Sequence, residues 1–256
     1  MYQNGVSADI YIGQGAGTMV DKDLKNAEKS VKIVSPFLSP SLVKQLITLW
    51  ATNKSVTLIT NDRIEDYSHR KDKNIYTLIR QIRTTHHDAV EKKEQYQNTA
   101  QVLFYVLFGY LAFLIASYIV FLDERLSLAL IPFLILILVH RMFVNKAKNT
   151  RIFSYRYETL FPIKICQPDH EGSNKNGDNF KIHSKIFIID DKVAYVGSLN
   201  FTQSGFKYNH ETRVKVTDAE AIRKINTEFE ELYHNPNLGA TDIQRLGRKL
   251  YPEPIN

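Results

Sequence analysis

Residues Lys181 to Asn200 read KIHSKIFIIDDKVAYVGSLN. The apolar, β-branched pattern predicts a strand from Lys181 to Ile189, a turn at Asp190-Asp191-Lys192 and a returning strand from Val193 to Val196. Residues two apart in a strand share a face, which groups His183 with Lys185 and turns Ser184, Ile186 and Ile188 to the other side to bury the strand. An imidazole beside an ammonium suits a phosphodiester, because the ring nitrogen can attack phosphorus while the cation holds the non-bridging oxygens. Asp190 is out of phase with His183, and at the turn a capping or salt-bridged role is as good a reading as a direct one. Gly197-Ser198-Leu199-Asn200 then adds hydroxyl and amide groups, with a glycine that permits close backbone approach. Asn209-His210-Glu211 follows at the head of a strand expected from Glu211 to Val216. Glu211 is a candidate to accept a hydrogen bond from His183, fixing its tautomer.

Outward from this hairpin the chain alternates strand and helix. Strands are expected at Ala8–Ile12, Val31–Ser35, Val56–Thr60 and Phe161–Ile165, and helices at Asp21–Lys29, Pro40–Ala51 and Asp218–His234. A β-α-β-α-β order implies an α/β sheet flanked by helices. Gly13-x-Gly15-x-Gly17 follows the first strand, but Thr18 stands where a dinucleotide fingerprint needs its third glycine. No acidic ribose partner follows Val31–Ser35 either. Asp169 to Asn179 reads as a polar loop.

Between the two parts lie two apolar runs. Val102 to Leu122 carries no charge and is long enough to cross a hydrocarbon core as a helix, which needs roughly 20 residues. A second run, Leu126 to Val144, follows the polar break Asp123-Glu124-Arg125 and holds Arg141 near its end, where it can snorkel to the headgroups. Tyr67 to Gln97 reads as a charged helical stem; its adjacent His86 and His87 point in different directions on a helix and make a poor metal pair. The expected organisation is therefore residues 1–66 and 145–256 as two parts of one domain, 67–101 as stem and 102–144 as a two-helix transmembrane insertion. Arg80, Arg83, Lys92 and Lys93 precede the hairpin and Lys146, Lys148 and Arg151 follow it, so the positive-inside rule places both flanks, and the catalytic domain, in the cytoplasm.

The 256 residues carry a net charge of +6, which favours anionic partners such as nucleic acid or headgroups. A single cysteine, Cys166, excludes an intramolecular disulfide and a thiolate zinc cluster. The N-terminus lacks the basic and apolar regions of a secretory signal.

Together, His183, Lys185, Asp190, Gly197, Ser198 and Asn200, with Asn209 and Glu211 downstream, resemble the HKD motif of the phospholipase D superfamily; VKIVSPFLS, from Val31, resembles an earlier strand of that fold. The resemblance implies a phosphodiesterase that needs no metal or other cofactor. His183 would be the nucleophile of a phosphohistidine intermediate, Lys185, Ser198 and Asn200 would bind phosphate, Glu211 would orient the histidine and Asp190 would support the site. The family uses two such motifs and this sequence has one, which implies a homodimer completing the active site. Gly-Ser-x-Asn followed by Phe201-Thr202 resembles the nuclease and cardiolipin-hydrolase-like branch, so an endonuclease is the first expectation. A phospholipase D acting on membrane phospholipids is the alternative, and an inactive membrane scaffold a third.

Overall fold

The structure is a computed structural model that describes residues 4–61, 78–121, 128–166, 182–236 and 238–256. The polar loop 169–179, the start of the stem, the break at 123–125 and Lys181 lie outside the described residues. The chain divides into two compact units, Met1–Gln81 with Tyr157–Tyr251, and Ile82–Arg156 with Pro252–Asn256.

The first unit is built on a seven-stranded mixed sheet. Its strands are β1 (Ala8–Gln14), β2 (Ser30–Val34), β3 (Ser55–Thr60), β6 (Ile163–Ile165), β7 (Ile186–Ile189), β8 (Val193–Gly197) and β9 (His210–Val216), in the order β1-β9-β8-β7-β2-β3-β6. β2, β3 and β6 run parallel, and the other neighbouring pairs are antiparallel. All four β7 residues are buried, as a central strand covered on both faces requires. Ile186 and Ile188 join Val34, Ile59 and Ala194 in a core closed by Ile222, Ile225 and Phe229 of helix α6 (Ala219–His234). Phe187 faces the other way, its ring 6.0 Å from Phe201 and 6.1 Å from Phe206. Helices α1 (Gly17–Lys25) and α2 (Pro40–Ala51) also contribute buried residues, Val20 and Leu24 from the first, Val43 and Leu46 from the second. Gly17 is needed here: a Cβ on it would stand 2.3 Å from the Phe206 ring.

Several elements differ from the expectations. α1 begins four residues early, at Gly17, because Gly15 turns the chain at φ +75° and its carbonyl accepts from Thr18 N. The glycines therefore shape a strand-to-helix turn at the sheet's edge, where β1 pairs only with β9 among the described residues. Residues 182–185 have no regular structure, so the first strand of the hairpin is half the expected length. The stem is not helical throughout, since Ile79–Thr85 forms strand β4, whose β-branched Ile79, Ile82, Thr84 and Thr85 suit a strand, and β4 pairs with β5 (Phe153–Thr159) in a separate two-stranded sheet. Helix α5 (Gln203–Lys207) and helix α7 (Ile243–Leu250) were not anticipated. The Gln244 side chain clasps the Tyr157 backbone on both its N–H and its carbonyl, and Gly247 lets the Tyr157 ring approach.

In the second unit, helices α3 (His87–Phe121) and α4 (Leu130–Asn149) pack as a hairpin. Tyr110 donates to the Ala129 carbonyl at 3.0 Å and stacks on Phe133, while Tyr96 meets Phe143 lower down. The stem and the first span are one helix. Most of the apolar surface faces outward, with Phe108 69%, Val120 70% and Leu138 67% exposed. Both helices are long and apolar enough to cross a membrane, and little of either is covered, which is not how the core helix of a soluble domain behaves.

Candidate active site

The site gathers where β8 ends and β9 begins. Gly197 lies opposite Arg213 across the β8–β9 ladder, with φ +156°, and a Cβ there would meet the Thr212 carbonyl oxygen at 2.1 Å. Only glycine allows that approach. Ser198 is then locked to β9: its N–H donates to the Thr212 carbonyl at 3.0 Å, its Oγ accepts from Thr212 N at 3.0 Å, and its hydroxyl donates to a carboxylate oxygen of Glu211. The other Glu211 oxygen accepts from Asn209 Nδ2 at 3.1 Å. Glu211 is buried, so these donors stabilise a carboxylate with little access to water.

His183 and Lys185 approach from the irregular segment before β7. Ile182 is buried in the core and its carbonyl accepts from Asn61 Nδ2 at 2.5 Å, which fixes the chain just before the histidine. His183 and Ser184 are exposed, whereas Lys185 is 6% exposed. Ser184 therefore does not bury the strand, as alternation predicted; Ile182 does instead. His183 and Lys185 nonetheless meet. Lys185 Nζ donates to the His183 carbonyl at 2.6 Å and lies 3.0 Å from His183 Nδ1. Burial pushes the Lys185 ammonium below its ordinary pKa, with the Glu211 carboxylate acting in the opposite direction.

The expected His183–Glu211 hydrogen bond is absent from the described residues. Glu211 is occupied by Ser198 and Asn209, and its charge acts on Lys185 instead. The Asn200 carbonyl oxygen accepts from Thr202 N at 2.8 Å, while its side-chain Oδ1 is buried without a hydrogen-bond partner. An orphan buried acceptor of this kind costs stability and marks a place where a donor is missing. Neighbouring Phe201 is fully buried; its N–H donates to Ser35 Oγ at 2.8 Å, and its carbonyl oxygen accepts from Ser39 N at 3.1 Å. The SPFLS segment thus holds the loop that carries Asn200.

Asp190 stands apart from this group, at the far end of β7. Its φ is +55°, and its two oxygens accept from the backbone N–H groups of Glu28, Lys29 and Ser30 at 2.7–2.9 Å. Burial raises its pKa, but those three backbone donors and Lys192 outweigh it and hold the carboxyl below its ordinary value. The carboxylate ties the hairpin turn to the start of β2. Asn61, Ser35 and Asn209 complete the framework; the one signal of Asn61 in the sequence is an amide directly after an apolar strand.

Residues 113–233 match the family described as "Cardiolipin synthase, PLD-like domain", a segment that contains every candidate site residue. That segment is similar to a phospholipase D-like domain. The chain is 33% identical over 91 residues to "Probable cardiolipin synthase YwiE" of Bacillus subtilis (strain 168), 36% of this chain and only 18% of that relative's length. Among solved structures, NucT from Helicobacter pylori is 14% identical with a TM-score of 0.46, covering 89% of this chain and 95% of that one. The phospholipase D family member Nuc from Salmonella typhimurium is 14% identical with a TM-score of 0.42, covering 91% and 97%.

Proposed function

We propose that this chain is a membrane-anchored phosphodiesterase that works through a phosphohistidine on His183. The observation that carries the reading is an exposed imidazole held against a buried ammonium, beside a hydroxyl–carboxylate pair. A substrate phosphate enters from solvent, a His183 ring nitrogen attacks phosphorus, and Lys185 with Asn200 holds the non-bridging oxygens as negative charge builds. The leaving oxygen needs a proton, and His183 of a second copy supplies it in a homodimer. That imidazole then takes a proton from water, whose oxygen attacks the phosphohistidine and releases His183. Asp190 supports the site through the backbone, and no metal or other cofactor takes part.

Phospholipid is the substrate class favoured here. The apolar hairpin brings bilayer phosphodiesters to the site, and the matched family and curated relative both carry cardiolipin synthase in their descriptions. Phe201-Thr202, the residues behind the endonuclease expectation, have structural work of their own: Phe201 fills the core and the Thr202 hydroxyl caps α5 by accepting from Gly205 N at 3.0 Å. Nucleic acid is the second reading, favoured by the +6 net charge. With both flanks of the hairpin basic, the catalytic unit faces the cytoplasm.

The test is to incubate purified full-length protein with chelator, offering phosphatidylglycerol vesicles, single-stranded DNA and RNA in parallel, with His183→Ala as control. Release of headgroup or transfer of a phosphatidyl group, lost in the variant, supports the lipid reading. Cleavage of nucleic acid alone replaces it with the second, and undiminished turnover in His183→Ala removes the nucleophile assignment.

A further inference from the structure

A cleft lies in the helical hairpin, and none of the candidate active-site residues lines it. It lies between α3 and α4, toward the start of α3 and the end of α4, and has a volume of about 350 Å³, within the usual range for ligand sites of roughly 300–1,000 Å³. Its floor is Ala100 and Ala147, 7% and 6% exposed, small residues that leave room between the helices. Lys93 and Gln97 line it from α3 and Lys148 from α4. Asn256 closes one end, its carboxamide donating to the Lys148 carbonyl at 2.6 Å. Among the described residues neither Lys93 nor Lys148 is paired with a carboxylate. The acids of this stretch of α3, Glu91 and Glu94, do not line the cleft.

Its depth identifies the ligand. The uncharged run of α3 starts at Val102, and the apolar run of α4, whose Arg141 can snorkel outward, ends at Val144, which itself borders the cleft. At about 1.5 Å per residue, Gln97 and Lys148 stand roughly 6–8 Å outside the hydrocarbon edge, which is headgroup depth. Lys93 is one helical turn further out and can extend its chain toward the same level. Two ammonium groups and an amide at that depth, with an apolar wall at Val144, match a phosphate whose acyl chains continue down the hairpin.

We propose that this cleft binds the headgroup of an anionic phospholipid as a resident lipid, distinct from any substrate. The inference rests on the hairpin crossing the membrane. Basic pockets between membrane helices on the side facing the cytoplasm are suited to such headgroups. The bound lipid joins the two helices at their base, where neither has another cross-link between charged side chains among the described residues.

The test uses full-length protein reconstituted in nanodiscs of phosphatidylcholine with a minority of phosphatidylglycerol, with native mass spectrometry reading which lipid stays bound. Phosphatidylglycerol is expected to be enriched on the wild type. Enrichment should fall about five-fold for each of Lys93→Gln and Lys148→Gln, the value of one lysine near an anionic surface. Lys92→Gln, on the same turn but outside the cleft, should change nothing. Equal loss in Lys92→Gln would show diffuse surface charge rather than a site, and full retention in the double variant would reject the cleft. Displacement of the lipid by millimolar inorganic phosphate would mean that the cleft takes free anions. Turnover of a soluble phosphodiester should be unchanged in the lysine variants, which separates this lipid from one in the active site. Protein that washes off membranes at alkaline pH would fail the membrane reading itself, before lipid preference is measured.

Discussion

At the scale of single residues, two charged groups share one hairpin and do opposite things. Lys185 is charged at a cost, because burial lowers its pKa from the ordinary 10.5. The unfolded chain then binds more protons than the folded one between the lowered value and 10.5. This contribution to stability accordingly rises with pH across that window, and the penalty is fully present below it. Lys185→Gln is expected to lose about 10²–10³ in kcat, as removal of a group that stabilises transition-state charge does. Its thermal midpoint should not drop at neutral pH, and the wild-type-minus-variant stability difference should grow as pH rises toward 10.5. A flat difference across that range would contradict the assignment. Asp190 has the reverse sign. Its folded pKa is depressed, so its contribution is present above the ordinary 3.8 and disappears as pH falls through the folded value. Asp190→Ala strands three backbone donors and should cost on the order of 2–3 kcal/mol, measured by urea unfolding. Asn tolerates the left-handed backbone and keeps one acceptor, so Asp190→Asn should lose less. Folded Asp190→Asn should retain turnover near wild type, because no Asp190 atom approaches His183 through the described contacts.

At the scale of elements, the β8–β9 junction is the part of the site with least tolerance. A methyl group at Gly197 meets backbone, not a side chain that can rotate away. Gly197→Ala is therefore expected to destabilise by about 1–3 kcal/mol or more, and to reduce turnover by displacing Ser198 from Glu211. Unfolding and kinetics on the same preparation check both; wild-type stability would show that the strands can move apart freely. The same junction explains what was legible in the sequence. Pro40–Ala51 was read to the residue because Pro40 at its first turn sets one end and its apolar period is strong. Glycine, serine and asparagine after β8 were also plain, because their spacing is local. The partner of Glu211 was not, since Ser198 meets it across a ladder 13 residues away and alternation along one strand says nothing about the next. Strand β4 was hidden by the charges around Ile79 and Ile82, which resemble those of an exposed helix. The irregular segment 182–185 was lost for a related reason: its ends are fixed by Asn61 and by the core, both distant in sequence, rather than by its own propensity.

At the scale of the whole molecule, one half-site and one hairpin have to be reconciled. His183 is the histidine that meets the candidate phosphate ligand Lys185, and a nucleophile cannot also protonate the leaving oxygen in the same step. The proposed homodimer would resolve this, and confinement of the proposed anchored chains to a membrane would assist it, because two anchored chains meet in a plane at raised effective concentration. The dependence of activity on composition then follows from counting. If each site needs a histidine from both chains, mixing wild type with His183→Ala leaves only the wild-type pairs active. At equal proportions about a quarter of the activity should survive, not half, once subunits have exchanged at random. The measurement co-reconstitutes the two chains at several ratios in one detergent step and assays a soluble phosphodiester. A quadratic fall supports the shared site. A linear fall would mean that each chain is complete, and the acid would then have to be sought beside His183 in the same copy.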